Sequence, residues 1–274
     1  MNNSEFSFEC YNVKIYGRMF DLRNAEGIVV LVHGFGEHSG RYAENVVKAL
    51  NNIGLAVIVY DNIGHGKSGG KRGHCPSYEA LLAILHQVIA KGKSVSSDTP
   101  FFLYGHSMGG NLVLNYALRY NTTLSGMVAT SPYLRLAFRP PKWKMVLGKL
   151  MLKILPSLTL PSGLDSNGIS RIHEEVRKYE SDALVHDKVS PMYSFPIMKA
   201  GEWAIEHANQ LQTDVLLLHG TGDRIIDYKG TQEFHQNSKR TTLKLFEGAY
   251  HELHHDLCRE EMLSTVQNWL QKQL

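Results

Sequence analysis

The chain has 274 residues, of which 43% are hydrophobic, 9% aromatic and 20% charged, a composition that excludes collagen, coiled coils and intrinsically disordered chains. Its formal net charge of +3 is too small a surplus to predict a nucleic-acid partner. Three cysteines, Cys10, Cys75 and Cys258, are too few for a disulfide framework and predict a reducing, cytoplasmic compartment. The longest aliphatic run, residues 53–60, is too short to cross a membrane, which takes about 18 apolar residues.

Short apolar runs alternate with stretches of helical periodicity. The first run, Phe6–Phe20, predicts an antiparallel hairpin that turns near Gly17. The later runs are nearly continuous in Val, Ile and Leu, as strands buried on both faces require. They are Ile28–Val32, Leu55–Tyr60, Phe101–Tyr104, Met127–Thr130, Val215–Leu218 and Leu243–Phe246. Helical intervals are predicted over residues 42–53, 78–91, 108–120, 228–236 and 255–270. The alternation predicts an α/β fold with a mostly parallel sheet and helices on both sides.

The alternation stops between Pro132 and Leu211, where prolines cluster and the sequence predicts no strand. We interpret residues 132–211 as a helical cap, or lid, inserted into an α/β core of residues 1–131 and 212–274. A cap of this kind lies above the sheet and is not an independent domain.

The first cap helix is predicted over residues 142–155 and is amphipathic. One face carries lysines, and the other carries Trp143, Leu147, Leu150, Met151 and Ile154. This apolar face either packs on the core below or docks on a lipid surface with the lysines toward the headgroups. A lid can do both in turn, so the sequence leaves both interpretations open and predicts peripheral contact with the inner face of a membrane.

The segment Phe101–Gly110 joins an apolar strand to a periodic helix through the pattern Gly-x-Ser-x-Gly. A serine that projects from the top of a sheet lies at a turn of about one residue, and that turn strains its backbone. The positions two before and two after it come too close to their neighbours for a side chain, which explains Gly105 and Gly109. The turn also places Ser107 at a helix N-terminus, where the dipole favours negative charge. We therefore predict that Ser107 is a nucleophile.

A serine is a weak nucleophile near neutral pH and needs a histidine base that is oriented by an acid. In this architecture the acid and then the histidine follow the serine along the chain, each in a loop after a strand. Asp223 follows the predicted strand at residues 215–218, and His251 follows the one at residues 243–246. Asp227 is expected to cap the next helix instead. The predicted catalytic residues are Ser107, Asp223 and His251.

The oxyanion of a tetrahedral intermediate needs two backbone donors. One is predicted to be the amide of Met108, directly after the nucleophile. The other is predicted to be the amide of Phe35, in the loop after the strand at residues 28–32. Gly34 and Gly36 allow this loop to approach closely, although two glycines also suit an ordinary turn from strand to helix. The predicted mechanism uses no cofactor and no metal.

Four segments resemble the monoacylglycerol lipases and their lysophospholipase relatives, which are α/β-hydrolases. They are His33–Tyr42 (HGFGEHSGRY), Asp61–Ser68 (DNIGHGKS), Gly105–Gly110 (GHSMGG) and Glu247–His251 (EGAYH). The likeness extends from about Val29 to Trp269, and the combination is much narrower than Gly-x-Ser-x-Gly alone. The resemblance implies a serine hydrolase that cleaves the ester of a single-chain glycerolipid, a monoacylglycerol or a lysophospholipid, under a lid that docks on membranes.

The resemblance also implies a polar pocket for the glycerol end of the substrate. Glu37, Arg41 and His254 match family residues there, and Tyr179 in the cap matches less closely. Hydroxyl groups need hydrogen-bond partners at the end of an apolar channel, so the pocket is chemically reasonable. Glu37 and Arg41 also have the spacing of a structural ion pair at the start of a helix, and this alternative stays open.

Two other function classes fit parts of the sequence. His251-Glu252-Leu253-His254-His255 matches H-E-x-x-H, the signature of zinc metalloproteases, which places two histidines one turn apart on a helix. Here the first histidine follows a Gly-Ala-Tyr turn, so we do not expect a helix to carry both. A broad carboxylesterase or a lipid-binding relative without activity would share the fold, but the complete Ser-Asp-His set argues against the latter.

Overall fold

A mixed β-sheet forms the centre of the computed structural model, which describes residues 3–20, 24–95, 99–120 and 123–274. The strands in these residues are β1 (Asn3–Cys10), β2 (Val13–Phe20), β3 (Gly27–Val32), β4 (Leu55–Tyr60), β5 (Phe101–His106), β6 (Gly126–Thr130), β7 (Leu160–Pro161), β8 (Lys188–Val189), β9 (Val215–Gly220) and β10 (Thr241–Phe246). Apart from the separate β7–β8 pair, they form one sheet in the order β1-β2-β4-β3-β5-β6-β9-β10. The pairs β1–β2 and β2–β4 are antiparallel, and every other pair in this sheet is parallel. The predicted α/β class is confirmed.

Helices lie on both faces of the sheet. They are α1 (Lys48–Asn51), α2 (Tyr78–Val95), α3 (Met108–Arg119), α4 (Lys142–Ile154), α5 (His173–Ser181), α6 (Pro191–Glu206), α7 (Tyr228–Asn237) and α8 (Arg259–Gln271). One apolar cluster joins the sheet to α2, α3 and α6, and a second joins the opposite face to α1 and α8. Every residue of β3, β4, β5 and β9 is buried, because helices cover both sides of these strands.

The N-terminal hairpin turns at Tyr11 and Asn12, so the prediction of a turn near Gly17 is wrong. Both turn residues have positive φ, 54° and 57°, as a tight two-residue hairpin turn requires. Gly17 instead lies inside β2, opposite Phe6. A Cβ at Gly17 would overlap the Phe6 ring, so this glycine makes room for an aromatic side chain across the hairpin.

Two helical predictions differ from the structure. The interval 42–53 is divided into a 3-10 turn (Ser39–Tyr42), a π segment (Ala43–Val47) and α1. The last helix begins at Arg259 rather than at His255, which belongs to a separate 3-10 turn, Leu253–His255. Asp227 caps α7 as predicted, since its side chain accepts a hydrogen bond from the Lys229 amide.

Residues 132–211, the predicted cap, carry α4, α5 and α6, and also the antiparallel β7–β8 pair, where the sequence predicted no strand. Strands of two residues are too short to produce a periodic pattern. The part of the cap before α6 is bonded to the core: His186 N donates to Gly36 O at 2.8 Å, and Ser190 N donates to Gly73 O at 2.8 Å. No helix within the described residues has the length and apolar character to cross a membrane.

Candidate active site

Ser107 lies at the junction of β5 and α3 with φ +52° and ψ −114°. Residues other than glycine seldom adopt positive φ, and such strain concentrates at functional sites. The turn leaves no room at the flanking glycines. A Cβ on Gly105 would overlap the Gly109 carbonyl, and a Cβ on Gly109 would overlap the Val32 carbonyl. The two glycines of the Gly-x-Ser-x-Gly pattern are therefore required because backbone carbonyl groups occupy the space that their side chains would need, as predicted.

The side chains of Ser107, His251 and Asp223 form a continuous chain of hydrogen bonds. His251 Nε2 lies 2.9 Å from Ser107 Oγ, and His251 Nδ1 lies 2.6 Å from Asp223 Oδ2. Because an ionised carboxylate can only accept, Nδ1 carries the proton and Nε2 accepts from the serine hydroxyl. All three side chains are buried. This is the geometry that a nucleophile, its general base and an orienting acid require.

Asp223 is held by more groups than His251 alone. Its Oδ1 accepts from the amides of Ile225 and Ile226 at 2.8 and 3.0 Å, and its Oδ2 accepts from His219 Nε2 at 3.0 Å. Burial opposes ionisation, but His251, His219 and these hydrogen bonds outweigh it and hold the pKa of Asp223 well below its ordinary value. Asp223 is therefore a fixed negative charge. His219 was not predicted as a partner of Asp223. It lies four positions earlier, near the end of β9, and the turn after this strand brings the two side chains together.

Two neighbouring histidines have pKa values shifted in opposite directions. Burial disfavours the charged form of His251, but the Asp223 carboxylate outweighs burial and raises the pKa of His251 above its ordinary value of 6.5. The ring of His106 lies 4.9 Å from that of His251, between centroids, and its Nδ1 bonds Thr130 Oγ1 at 3.0 Å. Burial and the nearby His251 lower the pKa of His106 to about 4. His106 therefore stays neutral when His251 takes up a proton.

The two predicted oxyanion donors belong to the loop after β3, which carries Phe35, and to the first turn of α3, which carries Met108. The loop after β3 comes close to the serine, since a Cβ built on Gly34 would lie 3.3 Å from Ser107 Cβ. Phe35 follows in this loop and lines the cavity above the serine. Met108 is the first residue of α3, so its amide is one of the four N-terminal donors that a helix leaves without an internal partner.

The loop is also fixed by the cap. Gly36 has φ +79°, and a Cβ there would lie 2.7 Å from the carbonyl oxygen of His186. The His186 amide donates to Gly36 O at 2.8 Å. The imidazole ring of His186 lies edge-on to the Phe35 ring, with the centroids 5.8 Å apart. Gly36 is thus required both for its backbone conformation and for the close approach of the cap.

Glu37 and Arg41 belong to a buried ion network with a third residue, Glu252, that the sequence analysis did not assign. Arg41 Nη1 lies 2.6 Å from Glu37 Oε2 and 2.6 Å from Glu252 Oε1, and Nη2 lies 2.7 Å from Glu252 Oε2. Glu37 Oε1 also accepts from Gly34 N at 2.6 Å and from Tyr42 Oη at 2.5 Å. The structure therefore supports the alternative of a structural ion pair, and Glu37 also holds the loop beside Ser107.

The four residues assigned to a glycerol pocket by resemblance lie at different depths. Glu37 and Tyr179 line the cavity at Ser107, whereas Arg41 and His254 do not. The Tyr179 ring covers the Arg41 guanidinium at 4.7 Å. His254 is fully buried and stacks on Tyr42 with the ring centroids 4.7 Å apart. Arg41 and His254 are thus separated from the cavity by the side chains packed around them.

A cavity of about 710 Å³, here called the catalytic cavity, contains Ser107 in its lining and lies between the core and the cap. Its volume is typical of a site for a small molecule. Polar side chains line it near the serine: Glu37, His106, Tyr179, His251 and Glu252. Apolar side chains line most of the remainder, including Leu136, Met145, Ile169, Phe195 and Ile197, and the same lining also carries the charged residues Lys144, Asp165, Glu180 and Asp187. A ligand with a polar end and a long apolar chain fits this division.

The H-E-x-x-H segment lacks the geometry of a zinc protease. Its first histidine is bound to Asp223 and Ser107, and the segment continues as a single 3-10 turn instead of a helix. The ligand atoms of Glu252, His254 and His255 lie within 4.8 Å of one another. However, the Arg41 guanidinium already binds Glu252 and lies 3.3 Å from His255 Nδ1. A cation beside this guanidinium would be repelled, so the donor set does not fit a metal ion.

Helix α4 presents its apolar face to solvent. None of its residues is buried; Trp143 is 64% exposed and Ile154 62%, and Leu147 and Leu150 are about half exposed. Met151 is half-buried. The helix contacts α6, where a Cβ on Gly148 would lie 2.6 Å from the Phe195 ring. In this structure the apolar face of α4 is exposed to solvent and is not packed on the core.

Comparison with known proteins identifies the family. A family model described as serine aminopeptidase, S33 (Hydrolase_4) matches residues 23–258. An abhydrolase domain-containing protein of Dictyostelium discoideum is 36% identical over 250 residues, which are 90% of this chain and 26% of that longer protein. Monoglyceride lipase of Mus musculus is 33% identical over 254 residues, 89% of this chain and 82% of that protein.

Among solved structures, that of Paleococcus ferrophilus monoacylglycerol lipase has 35% sequence identity and a TM-score of 0.85, with 100% of both chains covered. The sequence and structural matches thus agree over nearly the whole chain. They extend through the strands and loops that carry Ser107, Asp223 and His251. This chain therefore belongs to the Hydrolase_4 family and, within it, to the monoglyceride lipase-like α/β-hydrolases.

Proposed function

We propose that this carboxylic ester hydrolase cleaves monoacylglycerols to a fatty acid and glycerol through an acyl-enzyme on Ser107. The observation that carries the proposal is the chain of hydrogen bonds from Ser107 through His251 to Asp223 at the polar end of an apolar cavity. The monoglyceride lipases among its relatives support the substrate class.

The first step forms the acyl-enzyme. His251 Nε2 takes the Ser107 hydroxyl proton while Oγ attacks the ester carbonyl carbon, and the carbonyl oxygen becomes negatively charged. The amides of Phe35 and Met108 donate hydrogen bonds to this oxyanion. Asp223 keeps the proton on His251 Nδ1 and stabilises the imidazolium. His251 then protonates the glycerol oxygen as its bond to the carbonyl carbon breaks, and glycerol leaves.

The second step releases the fatty acid. A water molecule in the place of glycerol gives a proton to His251 Nε2 as its oxygen attacks the acyl carbon. The second tetrahedral intermediate uses the same two amides. It collapses when His251 returns the proton to Ser107 Oγ, which restores the serine and frees the acid. No cofactor takes part.

Glycerol is proposed to bind at the polar end of the catalytic cavity through Glu37 and Tyr179. Burial opposes ionisation of Glu37, but Arg41 outweighs burial and lowers the pKa of Glu37. Its Oε1 already accepts two hydrogen bonds, so Oε2, which accepts one from Arg41, is the atom proposed to accept from a glycerol hydroxyl. Arg41 and His254 act indirectly in this proposal. Arg41 holds Glu37 and Glu252 in place, and His254 packs behind Tyr42.

Substrate profiling tests the function. Purified protein should hydrolyse 1-oleoylglycerol with a higher kcat/KM than lysophosphatidylcholine or p-nitrophenyl butyrate. Only the first has a long acyl chain and two free glycerol hydroxyls, whereas the lysophospholipid has one hydroxyl and a charged headgroup, and the butyrate has no glycerol. A preference for the lysophospholipid would make the protein a lysophospholipase. Equal rates on all three would identify a broad carboxylesterase, and either result would contradict the proposal.

We further propose that residues 132–211 act as the cap of the enzyme and that α4 docks on a lipid surface. The support is an exposed apolar face, Trp143, Leu147, Leu150 and Ile154, with Met151 at its inner edge. Lysines at positions 142, 149 and 153 are exposed and lie beside this face, where basic side chains of an interfacial helix contact headgroups. Such contact brings the cavity to a membrane that contains the substrate.

Introducing negative charges on the apolar face of α4 tests the docking. The double substitution Leu147→Glu and Leu150→Glu should lower the fraction bound to phosphatidylcholine–phosphatidylglycerol liposomes, because it places carboxylates where the acyl region would be. Turnover of p-nitrophenyl butyrate, which is soluble, should not change. The matched control is Leu257→Glu, at a leucine that is 69% exposed and lies outside residues 132–211. Equal liposome binding by the α4 variant and the control would contradict the docking proposal.

A further inference from the structure

A second large cavity lies beside the catalytic cavity and contains no part of the catalytic chain in its lining. This distal cavity has a volume of about 1330 Å³ and lies between the cap and the ends of α2 and α3. Much of its lining is apolar, as at Leu134, Leu152, Met192 and Trp203. Nearly all of its lining residues are exposed or half-buried, so it is open to solvent on one side and has room for a ligand.

The two cavities share one wall. Seven residues line both of them: Tyr133, Leu136, Phe138, Pro140, Met145, Phe195 and Met198. They come from three parts of the predicted cap: the segment before α4, α4 itself and α6. Two of the seven are methionines, whose unbranched side chains change shape at little cost. A passage from one cavity to the other therefore needs side-chain movement in the cap and no movement of the sheet.

Charged groups do not fill the distal cavity. Arg135 pairs with Glu202 at 2.7 Å, and Asp227 caps α7. The remaining charged lining residues are exposed: Glu79, Arg119, Arg139, Lys149 and Lys199. Exposed charges of this kind can stay hydrated at a rim while apolar groups line the inside. The occupant is therefore expected to be apolar where it lies within the cavity.

We propose that the distal cavity is a subsite for the far end of a long acyl chain, which passes between Leu136, Met145 and Met198 from the catalytic cavity. The proposal rests on the proposed hydrolysis of monoacylglycerols, since the carbonyl carbon must lie at Ser107. Continuity with the catalytic cavity and the apolar lining fit a saturated or unsaturated hydrocarbon tail. Each methylene group that leaves water in this subsite adds to binding.

The test is the dependence of kcat/KM on chain length, measured with detergent-dispersed 1-acylglycerols from octanoyl to docosanoyl. Leu152→Trp and, independently, Ala137→Trp each place an indole in the distal cavity, and neither residue lines the catalytic cavity. Both variants should lose about tenfold in kcat/KM for the longest chains, a typical effect of altering a pocket for apolar groups. Octanoylglycerol should be hydrolysed at the wild-type rate, which also shows that each variant is folded.

The matched control is Leu155→Trp, at an exposed residue directly after α4 that lines neither cavity. It should keep the wild-type profile over the whole series. If both cavity variants also keep that profile, or lose all chain lengths equally while remaining folded by circular dichroism, the distal subsite is wrong and the proposed function stands. A wild-type protein that cleaves no member of the series overturns both proposals.

Discussion

The titratable side chains around Ser107 share a buried site, yet each has a different charge state because each has different partners. Asp223 is kept ionised by His251 and His219, which outweigh its burial, and His251 is made more basic by Asp223. His106, whose Nδ1 bonds the Thr130 hydroxyl, is made less basic by burial and by His251. Pairs of groups whose environments separate their pKa values are typical of acid–base sites. His251 is thus the group in this set that is suited to exchange a proton during turnover.

The substitution Asp223→Asn tests how His251 is held. His251 must be neutral to act as a base, so kcat/KM should decline as the pH falls through the pKa of His251. Removing the carboxylate lowers that pKa and moves the decline to lower pH. It also removes the acceptor that fixes the tautomer, so kcat should fall by about 10⁴. The measurement is a pH–rate profile with p-nitrophenyl butyrate; an acid limb at the wild-type pH would contradict the assignment.

The sequence was sufficient for the residues whose role depends on their place after a strand. Ser107, Asp223 and His251 were identified from strand ends and chain order, and the structure brings them within hydrogen-bond distance. Glu252 was not assigned, because its partner Arg41 lies 211 positions away and its neighbours resemble a zinc motif. The depth of Arg41 behind Tyr179 is likewise a result of tertiary packing.

At the scale of elements, the cap has one part bonded to the core and one part that is exposed. Asp182 bonds His38 at 2.8 Å, and the His186 and Ser190 amides bond core carbonyls. Helix α4, in contrast, packs on α6 and leaves its apolar face in solvent. The bonded part lies against the loop that carries Phe35, so the cap helps to position a proposed oxyanion donor.

The substitution Gly36→Ala tests this coupling between cap and loop. Its Cβ would lie 2.7 Å from the His186 carbonyl oxygen, in a backbone with φ +79°, so the loop must shift. A misplaced oxyanion donor should lower kcat by about 10²-fold or more with little change in KM. The control is Gly54→Ala, at a glycine with φ +78° whose added Cβ would have atoms of the Glu26 side chain as its three nearest neighbours, at 3.1–3.3 Å. A Gly36→Ala variant as active as this control would contradict the coupling.

Helices and strands were predicted correctly where a local sequence pattern is enough to determine them. The continuous apolar runs became the parallel strands β3 to β6 and β9, because both faces of these strands are buried. Strand β10 also formed as predicted, but it lies at the edge of the sheet and is mostly half-buried. The hairpin turn was misplaced because Gly17 was taken as a turn residue, whereas its role is to fit the Phe6 ring on the opposite strand. The β7–β8 pair has two residues in each strand, and only the tertiary fold of the cap brings them together.

For the whole molecule, buried histidines make stability depend on pH. Among the described residues, burial lowers the pKa of His33, His65, His106, His186 and His254. In the unfolded chain these side chains bind protons near pH 6.5, while the folded chain binds them only at lower pH. The unfolded state therefore holds more protons below that pH, and the free energy of unfolding decreases.

The melting temperature should accordingly be lower at about pH 5 than at about pH 7.5. The raised pKa of His251 acts in the opposite direction but belongs to a single group. Below the ordinary carboxyl pKa values, the loss should become steeper, since Asp223, Glu37 and Glu252 have lowered pKa values in the folded state. Differential scanning calorimetry over this range gives the answer; a melting temperature that rises on acidification would contradict the account.

The central claim is that Ser107 is the nucleophile that becomes acylated, and fluorophosphonate labelling tests it most directly. The wild-type protein should gain one adduct, located by peptide mass spectrometry on Ser107, and lose its hydrolysis of 1-oleoylglycerol in proportion to labelling. The variant Ser107→Ala should neither label nor turn over, except for a residual rate of roughly 10³-fold over water from the remaining site. Labelling of another residue, or wild-type turnover by Ser107→Ala, would contradict the mechanism.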